Sequence, residues 1–285
     1  MPSGVGEYKL MTAKDKYAVF GNPVKHSKSP FIHSAFASQC SQNLQYTAVK
    51  VKLGCFVEVA QQFFKRGGKG LNITLPFKLD AYAFADRLSD RAKLAGAVNT
   101  LVMDRQGAIL GDNTDGIGLV RDMAVNLGWM IGGSRVLVLG AGGAVRGVLE
   151  PLLRERPASL LVVNRTESKA VQLADEFAAV GSLKGGGFDC LSNRQFDLVI
   201  NGTSASLWGE LPPLPQTLLS EKGHCYDMAY GTEPTIFMRW AAEHTAWAIS
   251  DGLGMLVEQA AESFYLWRQL RPETGAIITQ LRENL

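Results

Sequence analysis

Residues 135–144, RVLVLGAGGA, decide how the second half of this chain folds. RVLVL is a short run, apolar after its first residue and carrying two valines, with no polar alternation. That pattern reads as a strand buried on both faces, as in a parallel sheet. GAGGA then breaks the run, and apolar residues return at helical spacing over 144–153. Strand, glycine turn and helix in that order are the setting of a dinucleotide-binding fingerprint. Glycines let the backbone turn tightly and approach a pyrophosphate, while the free N–H groups and dipole of the helix N-terminus face its charge. Val145 stands where the usual third glycine would be, and the competing reading is a glycine-rich helix start that serves packing alone.

Working outward, the next strand, 160–163, runs into Asn164-Arg165-Thr166, with Lys169 one helical turn later. NAD sites usually place an acidic residue there to hold the ribose 2′-hydroxyl. A guanidinium that forks onto a 2′-phosphate, with a second cation beside it, points to NADP instead. Glu167 dissents but lies past the strand end, facing solvent. Further strands are expected at 198–200, 225–228 and 247–249, so the fold class is α/β with a doubly wound, Rossmann-like parallel sheet. Glycines 185–187 read as a surface turn.

The first half also alternates strands and helices: strand 17–21, the loop NPVKHSKSP, helix 31–40 opened by Pro30, strand 44–51, helix 56–65 and strand 70–75 ended by Pro76. Segments 98–103 and 108–110 form a hairpin, and a helix over 117–127 stops at Gly128. Residues 254–285 are helical and amphipathic without a strand partner, so they pack back on the first half. The expected division is an α/β substrate domain over 1–115, a Rossmann domain over 116–255 and a helical return over 256–285.

Composition narrows the function. The 285 residues suit two domains of roughly 100–200 residues each. With 46% hydrophobic and 20% charged residues the chain is globular, and 29 basic against 27 acidic side chains leave no broad positive face for nucleic acid. Cys40, Cys55, Cys190 and Cys225 are scattered, which excludes a disulfide frame or a zinc site from spacing. No apolar run reaches the ~20 residues of a bilayer span, and the first fifteen residues lack the apolar core of a secretory signal. Those residues read as a loose extension. The expectation is a cytoplasmic protein, monomer or homodimer, with a small-molecule substrate, no nucleic-acid or membrane partner and no metal.

Two residues stand out for chemistry. Lys78 follows NITLPF at the C-terminal edge of a strand, where α/β sheets place their ligand crevices and a lysine is suited to proton transfer. Most lysines are solvated surface charges, and that alternative stays open. Asp115, in GDNTDG, is its natural partner or simply the N-cap of the helix that follows.

The segments YAVFGNPVKHSKSP, NITLPFK, AGAVNT, GDNTDG, GAGGA, NRT, YDMAY and DGLGMLVEQA, in order from about residue 17 to 259, together resemble the shikimate dehydrogenase family. The combination of SKSP, TLPFK and NTDG is specific; GAGGA alone is shared with other Rossmann enzymes. The resemblance implies reduction of 3-dehydroshikimate to shikimate with NADPH, a step toward the aromatic amino acids. It also implies that Ser27 and Ser29 hold the substrate carboxylate. Thr74, Asn99, Asp115, Tyr230 and Gln259 would line the substrate, with Lys78 and Asp115 as the catalytic pair in contact with it. On the cofactor side it assigns Gly140, Ala141, Gly142, Gly143 and Ala144 to the pyrophosphate, and Asn164, Arg165, Thr166 and Lys169 to the 2′-phosphate. Met228 and Gly252 match the nicotinamide side, and Asp90 a position reaching the cofactor from the other domain. An NAD-linked quinate/shikimate enzyme would carry an acidic residue after the second Rossmann strand, where this chain has Arg165-Thr166. SKSP and NTDG argue against the methylenetetrahydrofolate dehydrogenases and glutamyl-tRNA reductases. Lys78 and Asp115, both present, argue against a catalytically retired ligand sensor.

Overall fold

A computed structural model describes residues 13–285 apart from 204 and 206–208; the expectation of a loose extension falls mostly on residues 1–12, outside the described residues. Two six-stranded sheets organise the chain. In the second, β7 (Arg135–Leu139), β8 (Ser159–Val163), β9 (Lys184–Gly186), β10 (Phe196–Asn201), β11 (Leu219–Asp227) and β12 (Ala248–Ser250) lie in the order β12-β11-β10-β7-β8-β9. Every pairing is parallel. Renumbered from β7, this is the 3-2-1-4-5-6 order of a doubly wound nucleotide-binding sheet. Val136, Leu137, Val138 and Leu139 are 0% exposed, as a central strand covered on both faces requires.

The triglycine at 185–187 corrects the sequence reading. It is the end of β9 and the residue after it, where helix α7 (Glu167–Phe177) lies so close that a Cβ on Gly185 would sit 2.2 Å from the Ala170 carbonyl oxygen. Strand β11 starts six residues before the expected 225, because its polar first half, SEK, carries no apolar signal.

The first sheet is mixed. Strands β1 (Asp15–Gly21), β2 (Leu44–Lys50), β3 (Gly68–Ile73), β4 (Arg87–Leu88), β5 (Thr100–Met103) and β6 (Ile109–Asp112) run in the order β2-β1-β3-β5-β6-β4. β1 is parallel to β2 and β3, whereas β5 is antiparallel to β3 and to β6. Helices α1 (Ser29–Gln39) and α2 (Phe56–Lys65) match expectation. Two short helices, α3 (Lys78–Phe84) and α4 (Asp90–Ala95), and the two-residue β4 are too brief for a periodic signal. The helix expected over 117–127 is α5 (Asp115–Arg121), which widens into a π-helical turn, Asp122–Asn126.

The chain then crosses back. After α6 (Gly143–Arg154), α7 and α8 (Ile236–Glu243) have covered the Rossmann sheet, α9 (Leu253–Arg268) leaves its edge and runs under the first sheet, followed by α10 (Gly275–Glu283). Leu253, Val257, Ala260, Ala261 and Phe264 of α9 are at most 1% exposed, in one core with Ile32 and Phe36 of α1 and Tyr17 of β1. Burial of each large apolar side chain there contributes about 1.5–3 kcal/mol. Trp267 Nε1 donates to the Leu101 carbonyl at 3.0 Å, and its ring lies 4.6 Å from that of Tyr17. The predicted helical return therefore completes the first half. Among the described residues no helix is long and apolar enough to cross a membrane.

His33 of α1 is buried in this core, stacked on Tyr46 at 4.3 Å, with neither ring nitrogen hydrogen-bonded; the Asn72 amide approaches without meeting that geometry. Burial pushes its pKa down to about 3, with Asn72 pulling weakly the other way. Unfolded, the imidazole titrates near 6.5. Below that pH the unfolded chain binds a proton that the folded chain refuses, so stability falls as pH drops toward 3. From pH 7.0 to 5.0 the loss from this group is about 2 kcal/mol. His33→Phe keeps a stacking ring and should remove that part of the acid sensitivity in denaturant titrations at pH 7.0 and 5.0; an unchanged difference between the two pH values would refute it.

Candidate active site

The C-terminal edges of β1 and β3 open onto a cavity of about 370 Å³. Ser27 and Ser29 face it from the loop after β1 and the first turn of α1, Thr74 and Lys78 from the turn after β3, and Asn99 and Asp115 from the ends of the segments flanking β5 and β6. Met228, Tyr230, Gly252 and Gln259 close it from the other side. Every substrate-side residue singled out in the sequence is therefore on one wall or another of a single cavity.

Lys78 is the first residue of α3. Phe77 before it is 1% exposed and stacked on Phe56, and the Lys78 carbonyl accepts from Val98 N–H at 3.0 Å, so both sides of the turn are anchored. Its ammonium lies 2.5 Å from Asp115 Oδ2, with side-chain exposures of 29% and 17%. The N-cap alternative for Asp115 does not hold: Thr114 occupies that position and Asp115 is the first helical residue. Its carboxylate is turned to Lys78 on one oxygen and to Asn99 Nδ2, at 2.8 Å, on the other. Gln259 is fixed by donating to the Leu256 carbonyl at 2.8 Å. Burial pushes the Tyr230 phenol up, and Asp251 adds to the effect, so it stays a protonated donor.

Sequence reasoning missed the polar floor of the cavity: Asn72, which lines it, and Tyr46, Thr100, Thr114 and Ser263 beneath, all buried and hydrogen-bonded to one another or to Asn99. The available signal was a polar side chain inside an otherwise apolar strand (Asn72 in GLNI) and on the buried face of a helix (Ser263). Each needs a partner there, since an unpaired buried polar group costs about 1–3 kcal/mol.

A second cleft, of about 1000 Å³, runs along the C-terminal edge of the Rossmann sheet. Gly140, Ala141, Gly142, Gly143 and Ala144 form one side; Asn164, Arg165, Thr166 and Lys169 form another. A Cβ built on Gly142 or Gly143 meets nothing within 4 Å, so these two positions look straight into the cleft at the N-terminus of α6. Arg165 and Lys169 are exposed and enter no ion pair among the described residues. A diphosphate at the helix N-terminus and a 2′-phosphate at the two cations fit this arrangement, which is the fit NADP requires. Val145, the departure from the fingerprint, is 0% exposed, and a Cβ on Gly202 would lie 2.5 Å from its side chain. The missing glycine of the helix is thus supplied by the residue that follows β10, and helix and strand end still pack closely. Thr203, unforeseen, also lines the cleft, held by two hydrogen bonds to Asn201 Oδ1. Glu167 is exposed as expected but faces the cleft.

Met228 and Gly252 line the first cavity on its Rossmann side, with the Met228 carbonyl only 2.2 Å from where a Gly252 Cβ would be. Asp90 is not brought to either cavity. It opens α4, is exposed, and pairs with Lys93 at 3.2 Å. The cation of α6 that feels its charge is Arg154, at the end of that helix opposite the glycine turn.

Comparison with known proteins agrees with this geometry. A family model described as the shikimate dehydrogenase substrate binding domain matches residues 19–101, one for shikimate / quinate 5-dehydrogenase matches 123–208, and one for the shikimate 5'-dehydrogenase C-terminal domain matches 252–282. A shikimate dehydrogenase (NADP(+)) of Cellvibrio japonicus is 58% identical over 271 residues, covering 95% of this chain and 98% of that one. The chain belongs to the shikimate dehydrogenase family. Among solved structures, an Ael1 enzyme from Pseudomonas putida superposes with a TM-score of 0.90 at 48% identity, covering 94% of this chain and 98% of that one. Shikimate 5-dehydrogenase from Thermus thermophilus, in complex with NADP(H) and shikimate, gives 0.81 at 32% identity, covering 95% and 100%. The family's substrate-binding model spans the wall from Ser27 to Asn99, and its C-terminal model spans Gln259.

The clamp has a direct test. Arg165→Ala removes the forked cation and should raise KM for NADP by about 10-fold or more, the scale of a lost hydrogen bond to a charged group, while leaving KM for NAD nearly unchanged. Equal changes for both cofactors in steady-state assays would show that Arg165 does not read the 2′-phosphate.

Proposed function

We propose that this chain catalyses the NADPH-dependent, reversible reduction of 3-dehydroshikimate to shikimate, through Lys78 and Asp115. The observation that carries the reading is their 2.5 Å pair, inside a cavity whose Rossmann wall is Met228 and Gly252. Ser27 and Ser29 take the substrate carboxylate; Ser29 opens α1, an eleven-residue helix whose N-terminal dipole favours a negative charge there. Thr74, Asn99, Tyr230 and Gln259 supply donors and acceptors for ring hydroxyls. When bound at the Rossmann cleft, NADPH supplies the hydride. Lys78 holds its ammonium where the ketone oxygen becomes an alkoxide and passes a proton to it. Asp115 keeps that ammonium in place and balances its charge, and Asn99 keeps Asp115 turned toward it. In the reverse direction Lys78 takes the proton from the hydroxyl.

The domain limits supported by this reading are 1–115 with 256–285 for substrate and 116–255 for cofactor, the two meeting at the cavity. The Thermus thermophilus relative, crystallised with NADP(H) and shikimate, supports the same pairing of ligands. The balance of 29 basic and 27 acidic residues fits small anionic ligands met by placed groups. We assign the activity to the cytoplasm, in a monomer or homodimer.

Purified protein should reduce NADP with shikimate, followed at the nicotinamide absorbance band; no turnover at mildly alkaline pH would overturn the reading. Lys78→Ala should lower kcat by ~10²- to 10⁴-fold with KM for shikimate changed only a few-fold, as expected when general acid–base catalysis is lost. A near-normal kcat would remove Lys78 from the chemistry.

A further inference from the structure

The buried polar layer under the cavity has a direction, which follows from one backbone group. Thr114 N–H can only donate, and the atom it meets, at 2.9 Å, is Asn99 Oδ1. The Asn99 amide is thereby oriented, and its Nδ2 faces Asp115 Oδ1 at 2.8 Å. Thr100 Oγ1 lies 2.9 Å from the same Asn99 Oδ1, an acceptor, and 2.7 Å from Ser263 Oγ; with Ser263 as the donor in that second contact, the Thr100 proton goes to Asn99. Asn72 Nδ2, 3.2 Å from Thr100 Oγ1, must then be the donor to it, with Ser263 Oγ accepting from the same amide at 3.0 Å. That leaves Asn72 Oδ1 facing Tyr46, whose hydroxyl donates to it at 2.7 Å. Donor follows donor from Tyr46 through Asn72, Thr100 and Asn99 to the Asp115 carboxylate, where Lys78 adds the last bond. Hydrogen bonds aligned head to tail polarise one another, and in a buried site the effect is largest.

We propose that Tyr46 is a positioning residue for the reaction: its hydroxyl fixes the Asn72 amide and, through Thr100 and Asn99, the orientation of Asp115 toward Lys78. Tyr46 is 7% exposed and does not line the cavity, so it reaches the chemistry through the residues its hydroxyl touches. Its oxygen also lies against the Ser29 side chain, which places the start of the chain beside the residue that takes the substrate carboxylate. Without the hydroxyl, Asn72 Oδ1 loses its 2.7 Å donor and the amide is less tightly held. Thr100 then loses the bond that holds its proton on Asn99, and Asn99 loosens its hold on Asp115. The inference rests on Lys78 and Asp115 as the catalytic pair, and Lys78→Ala, measured alongside, separates failure of that reading from failure of this one.

Tyr46→Phe keeps the ring stacked on His33 and removes only the donor. It should lower kcat roughly 5- to 20-fold while KM for NADP stays at the wild-type value, the size of one buried hydrogen bond acting through a charged acceptor. Thr100→Val cuts the same chain and should cost a similar factor, whereas Thr100→Ser keeps the hydroxyl and should retain near wild-type kcat. The Tyr46→Phe/Thr100→Val double variant should be no slower than the slower single variant, since a chain is broken only once. A wild-type kcat for Tyr46→Phe, additive losses in the double variant, or Thr100→Ser as slow as Thr100→Val would each overturn the proposal while Lys78→Ala remains inactive. Should Tyr46→Phe fail to fold, the Thr100→Val and Thr100→Ser pair decides alone.

Discussion

The close crossing of α5 and α9 is the constraint on which the rest depends. α5 carries Asp115 at its first position and α9 carries Gln259 near its middle, so the width of the cavity between them is set by how near the two backbones come. They come within a side chain's reach. A Cβ on Gly118 would lie 2.7 Å from Gln259 Cβ, and one on Gly254 would lie 2.0 Å from the Asp122 carboxylate. Overpacking of this kind typically costs about 1–3 kcal/mol, with displaced backbone as the alternative. Here the displacement would open the site, because Thr114 and Asn99 both reach Gln259 across that gap.

Charges lock the same crossing. Glu258, 1% exposed, takes Arg121 at 3.0 Å, Asn126 at 3.1 Å and Thr274 at 2.5 Å; Glu262 takes Arg91 from α4 at 2.9 Å and also pairs with Arg271. Asp251, just before α9, is held by Arg282 of α10. Removing one partner of such a buried pair leaves an uncompensated charge at a cost of about 3–5 kcal/mol, whereas the intact pair adds little net stability. Their contribution is therefore to geometry. Asp122 follows the same logic: Tyr226 and Asn126 donate to it, while burial together with Glu258 and Asp251 pushes its pKa up. Asp122 and Asn126, at the two ends of the π-helical turn, both reach α9, the first against Gly254 and the second at Glu258.

These contacts mark how far a sequence can be read. The Rossmann half was legible because its strands are buried on both faces and its glycine turn has local chemistry; RVLVL matches β7 residue for residue. The helical return was legible as an amphipathic stretch without a strand. Elements below two helical turns, α3 and α4, carry too few residues for a period to emerge, although α3 presents Lys78 to the cavity. The glycines at 185–187 misled because glycine signals a turn and a close approach equally well, and only the neighbouring helix distinguishes them. Resemblance located Asn99 and Gln259. It left Tyr46, Thr100 and Ser263 unnoticed, since a buried hydroxyl has no sequence period and its meaning lies in which atom it faces.

The two ligand sites differ in how their charge is held, and the difference follows from what each must do. Arg165 and Lys169 stand exposed at the cofactor cleft, where an anion arriving from solvent meets them first and screening keeps them from attracting non-specifically. Asp115, at 17% exposure, is held by Asn99 and Lys78. A group that must meet a charge developing during reaction gains most when it does not reorganise at that moment, and a buried hydrogen-bonded layer prevents it from doing so. The near-neutral charge of the chain is then a consequence. In the proposed reading, recognition rests on a few exposed cations and catalysis on one ion pair that the fold already holds in place.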